Sequence, residues 1–88
     1  MLEKTLTIDI PDGTWKVDIV KDKNDSGIFD LIHPQKSSDV TLEENRMYGF
    51  EYSVSAKPGT PFTITLGDKV LVEDKVDDSK LARGSGVL

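Results

Sequence analysis

Any chemistry in this chain has to come from oxygen ligands, carboxylates or a lone imidazole, because there is no cysteine and a single histidine. The densest set of donors is Asp22-Lys-Asn24-Asp-Ser26-Gly27, with Asp30 at the ninth position, a partial match to the calcium loop D-x-[DN]-x-[DN]-G. In such a loop Asp22, Asn24 and Ser26 aim oxygens at a hard cation while Gly27 makes the sharp turn. The twelfth position is His33 where a bidentate Glu belongs, and no flanking helices are predicted. Asn, Asp, Ser and Gly are also the residues an exposed turn uses. The segment therefore reads either as a structural calcium site or as a solvated turn.

Catalytic patterns are absent. His33 sits beside Pro34 with no serine elbow and no acid partner at a catalytic spacing. Glu43-Glu44 and Asp77-Asp78 are adjacent pairs, and neighbouring strand residues point to opposite faces, so neither pair can work across one substrate. No glycine-rich phosphate cradle occurs. The expectation is a protein that is not an enzyme.

The elements that would position these groups are read from length, charge and alternation. With 88 residues the chain makes one domain, which buries about 60–65% of its unfolded surface. Sixteen acidic residues against eleven basic ones give a net charge of −5, the wrong sign for a phosphate backbone, so no nucleic-acid partner is expected. No run of eighteen apolar residues occurs, so no membrane helix is predicted. The sequence shows no signal peptide.

Strict alternation dominates. Leu6, Ile8 and Ile10 alternate with polar residues, Pro11-Asp12-Gly13-Thr14 interrupts, and Trp15, Val17 and Ile19 resume; the two runs read as a β-hairpin. Phe29 to Ile32 forms a strand that ends at His33 before Pro34, and His33 to Asp39 reads as a loop. Val40 to Leu42 is a short strand, Glu43 to Arg46 a candidate helical turn, and Tyr48 to Ala56 the strongest strand. After the Lys57-Pro58-Gly59-Thr60 turn, Phe62, Ile64 and Leu66 alternate, and Gly67-Asp68-Lys69 leads as a tight hairpin into Val70 to Val72. Asp74 to Lys80 reads as solvated charge. The fold class is all-β, an antiparallel two-sheet β-sandwich of about six to eight short strands. Residues 1–82 make the domain and 83–88 a flexible C-terminal tail.

Alternation also sorts side chains by face. Trp15, Phe29, Tyr48, Phe50, Tyr52 and Phe62 all fall on the apolar, inward side, as a core requires. The other side carries Lys16, Asp18, Asp30, Glu51, Ser53, Ser55, Thr63 and Thr65, with Val20, Ile28 and Ile32 among them. Such a face is either plain solvated surface or the floor of a shallow binding groove.

The stretch Val40-Thr-Leu-Glu-Glu-Asn-Arg-Met-Tyr48-Gly-Phe-Glu-Tyr52-Ser-Val-Ser-Ala56, followed by Lys-Pro-Gly-Thr-Pro-Phe62-Thr-Ile-Thr-Leu-Gly67, resembles the middle of jelly-roll carbohydrate-binding modules of families 4, 9 and 22. Upstream, Gly13-Thr-Trp-Lys-Val-Asp-Ile19 is similar to that family's "d-G-x-l-x-V-x-I" strand, and Phe29-Asp-Leu31 to its "W-d-v-Q-l". The likeness covers roughly residues 12 to 68. Phe29 stands where the family has Trp, Ile32 where it often has Gln, and the chain is shorter than such modules usually are.

The resemblance implies an extracellular, non-catalytic jelly-roll module that recognises a polysaccharide or oligosaccharide on one sheet face, as a monomer. It implies a site built from Asp18, Asp30, Glu51, His33 and Gln35, with Trp15 or Phe29 stacking on sugar rings if twist or a bulge turns one outward. Such modules often carry a structural calcium ion, which by analogy supports the calcium reading of Asp22, Asn24 and Ser26, and no other cofactor is expected. The alternative is a structural or protein-interaction β-sandwich without a small-molecule ligand, favoured by the all-inward rings and the short chain.

Overall fold

In a computed structural model, which describes residues 2–21, 29–43 and 47–88, alternation builds eight strands and, among the described residues, no helix. They are β1 (Leu2–Asp9), β2 (Thr14–Lys21), β3 (Phe29–Ile32), β4 (Ser37–Leu42), β5 (Tyr48–Ser55), β6 (Pro61–Leu66), β7 (Lys69–Lys75) and β8 (Leu81–Val87). Two four-stranded sheets form, in the orders β4-β1-β6-β7 and β3-β2-β5-β8, with every pairing antiparallel. The expected two-sheet β-sandwich is the observed architecture. Leu6, Ile8 and Ile10 from one sheet side meet Trp15, Val17, Ile19, Leu31, Phe50 and Val54 from the other, and Val40, Leu42, Tyr48, Phe62, Ile64, Leu66 and Val76 complete the core.

Two expectations are corrected. β1 and β2 are not a hairpin: they belong to different sheets, and Pro11–Gly13 carries the chain across the sandwich. A hairpin and a crossing arch both keep Ile10 and Trp15 on the core side, so alternation alone does not distinguish them. The arch needs Gly13, whose φ is 110° and whose added Cβ would lie 2.5 Å from the Ser55 carbonyl oxygen. The hairpin expected at Gly67-Asp68 does form, with Leu66 opposite Lys69.

The second correction concerns the C-terminal end. Residues 83–88 are not a flexible tail: β8 pairs with β5 from Leu81 to Val87, and the Leu88 N–H donates to the Tyr48 carbonyl at 2.9 Å. Arg83-Gly84-Ser85-Gly86 has the composition of a tail, yet its glycines hold the inward positions. The rings of Tyr52 and Phe50 lie over them, and a Cβ on Gly84 or Gly86 would come within 2.6 or 2.7 Å of those rings. The bare backbone gives the large side chains of β5 room against their neighbour.

Elsewhere β4 begins at Ser37, inside the expected loop, and β7 runs on to Lys75. A bulge opposite Ile64/Thr65 lets both Leu71 and Val72 lean on the core. The candidate helical turn at Glu43 to Arg46 falls largely on residues outside the described ones.

Candidate functional site: the charged outer face of one sheet

The outer face of the β3-β2-β5-β8 sheet sets five charged side chains in two adjacent rows. Register places Asp30, Asp18, Glu51 and Ser85 side by side across the four strands. The next row along the strands is Ile32, Lys16, Ser53 and Arg83. Beyond the acidic row lie Val20, Gly49 and Val87; beyond the basic row lie Thr14, Ser55 and Leu81. Residues directly opposite in antiparallel strands are about 5 Å apart, and successive rows about 7 Å. An acidic row thus lies beside a row holding two cations.

Three carboxylates abreast repel one another, and the middle one responds. The Asp18 side chain is 19% exposed, and its Oδ1 is buried with no hydrogen-bond partner. Its pKa is raised from 3.8 to about 6, first by burial, then by a hydrogen bond to Asp30 in the protonated form and by the charges of Asp30 and Glu51. Lys16 opposes the rise, with its Nζ 3.9 Å from Asp18 Oδ2, a long pair in which only the lysine is well exposed. A shallow depression lined by Lys16, Asp18, Glu51, Tyr52, Ser53 and Arg83 marks the meeting of the two rows.

Of the residues singled out in the sequence, Asp18, Asp30 and Glu51 come together in one row. Trp15, His33 and Gln35 form a separate group at the end of β3. Trp15 is only 6% exposed; its Nε1 donates to the Gln35 carbonyl at 2.7 Å, and the His33 ring meets it edge-on at a centroid distance of 4.6 Å. The peptide before Pro34 is cis, and His33 and Gln35 are themselves exposed. Phe29 is half-buried against the core. None of the six aromatic residues is exposed, so the outward turn on which stacking by Trp15 or Phe29 depended does not occur. The three candidate calcium ligands, Asp22, Asn24 and Ser26, lie outside the described residues. Among the described residues no group of three or more His, Asp or Glu side chains is arranged to hold a metal ion.

Sequence reading missed Arg83 and Ser85, because they were assigned to a tail. The signal was present: Leu81, Arg83, Ser85 and Val87 alternate with the small residues Ala82, Gly84 and Gly86. Compared with protein-family models, curated proteins and solved structures, the chain matches none.

Proposed function

We propose that this protein is a non-catalytic protein-interaction module whose working surface is the outer face of the β3-β2-β5-β8 sheet. The observation that carries the reading is the face itself: Asp30, Asp18 and Glu51 in one row, Lys16 and Arg83 in the next, and no aromatic ring among them. Opposed rows of charge recognise a patterned protein surface by complementarity, suppress wrong partners and fix register. Sugar recognition on a flat sheet leans instead on ring faces that stack against C–H surfaces, and here the rings serve the core.

A second reading keeps the glycan as ligand, and one observation favours it. The carboxylates of Asp30 and Glu51 are exposed on either side of Asp18 and would accept hydrogen bonds from sugar hydroxyls. Backbone amide shifts recorded while xylan, β-glucan and mannan are added in turn separate the two. The interaction reading expects the amides of β2, β3 and β5 to stay in place. Shifts clustered at Lys16, Asp18, Asp30 and Glu51 would overturn it.

A further inference from the structure

We infer that this outer face is self-complementary and receives a second copy of the same chain, face to face across a two-fold axis. The inference rests on the protein-interaction reading and names its partner. The relevant axis lies in the plane between the two sheets and runs across the strands, along the boundary between the acidic and basic rows. Rotation about it keeps each strand opposite its own copy and exchanges the rows.

The pairs that result follow from the register alone. Asp18 comes to face Lys16 of the second copy, its Arg83 faces Ser85 and lies diagonal to Glu51, while Asp30 faces its Ile32 and Glu51 its Ser53. The flanking rows exchange as well, so that Val87 meets Leu81 of the second copy, two side chains that are 68% and 37% exposed in the single chain. Each of these contacts occurs twice, as an isologous interface demands. The outer face of the other sheet is less balanced: around a centre of Thr5, Thr7, Thr63 and Thr65 it carries Glu3, Asp9, Asp39 and Glu73 against Lys75 alone, so no row of cations answers its acids. Packed sheets cross at about 30°, so the central pairs align best and the edge pairs depend on the reach of long side chains such as Arg83.

Size sets the strength. Four strands about 4.8 Å apart and four rows about 7 Å apart span roughly 500 Å² per copy, or about 1,000 Å² in all. That lies below the usual range of stable interfaces, so the dimer is weak, forms at high-micromolar or greater concentration, and dissociates as salt is added.

Charge reversal tests it. Sedimentation velocity is run over a concentration series at low and high salt on the wild type, on Lys16→Asp and on Asp18→Lys, with circular dichroism to confirm folding. The wild type is expected to self-associate at low salt. Each variant alone should weaken association at least about tenfold, and their equimolar mixture should restore it, because a β2 carrying Asp at both positions 16 and 18 then meets one carrying Lys at both. Where Asp18→Lys fails to fold, the exposed pair Arg83→Glu and Glu51→Lys repeats the test. A wild type that stays monomeric at millimolar concentration and low salt overturns the inference, as does an association that the reversals leave unchanged. Failure of the interaction reading looks different, appearing as polysaccharide-induced shifts on this face.

Discussion

Replacing Gly86 with alanine asks whether β8 is docked as described. The new Cβ would lie 2.7 Å from Phe50 Cζ and 2.8 Å from its Cε1. Carbon atoms rest about 3.5–4.0 Å apart, so the overlap is on the order of 1 Å. Phe50 is only 7% exposed, and the ring has little room to retreat. Overpacking of this kind costs about 1–3 kcal/mol, while losing a glycine from the unfolded chain returns about 0.4–1 kcal/mol. The net expectation is a loss of about 1–2 kcal/mol, a fall in Tm of roughly 5–15 °C for a domain of this size. Gly84→Ala should cost less, because it meets the outer end of the Tyr52 ring, which is half-buried where Phe50 is buried. Urea unfolding followed by circular dichroism measures both, with an unchanged slope confirming a stability effect. A Gly86→Ala protein as stable as the parent would refute the argument, since alanine is tolerated in a loose tail.

Three further outcomes are expected. The Asp18 carboxyl is pushed up to about 6, so the folded state holds its proton more tightly than the unfolded one. Stability should therefore be greatest below about pH 4, fall as pH rises to about 6 and stay lower above it. Asp18→Asn should remove that fall and gain about 1 kcal/mol at neutral pH, allowing for partial solvation; a wild type flat across the window in dilute urea titrations contradicts this. Gly13→Ala should cost at least about 2 kcal/mol, since it combines a positive φ with contact on the Ser55 carbonyl; an unfolding midpoint within error of the wild type would refute it. Trp15→Phe removes the 2.7 Å bond to the Gln35 carbonyl and should cost about 2 kcal/mol, with faster amide exchange at His33 and Gln35; unchanged exchange there argues against the bond.

How much of this was legible in the sequence follows from what alternation can encode. A period of two assigns each side chain to a face, and the inward set of Leu6, Ile8, Trp15, Val17, Ile19, Phe50, Val54, Phe62 and Ile64 belongs to the core. It does not say which strand lies beside which. The Pro11–Gly13 connection keeps the same residues inward whether it closes a hairpin or crosses the sandwich, so the pairing of β1 with β4 and β6 was invisible. Rows across strands depend on that pairing. Asp18 and Glu51 are 33 residues apart in sequence, and only the β2–β5 register makes them neighbours. Composition hid β8: glycine reads as flexibility unless the rings that need its missing side chain are known, and Phe50 and Tyr52 belong to a different strand.

Acrylamide quenching of the sole tryptophan's fluorescence bears on the whole account, because a charge-reading face follows from rings that are kept inside. Trp15, 6% exposed and bonded to the Gln35 carbonyl, should resist the quencher in the native protein and become accessible only on unfolding in urea. Native quenching as strong as that in urea would put the ring in water, restore a stacking platform for sugars, and contradict the inward placement on which the proposed face depends.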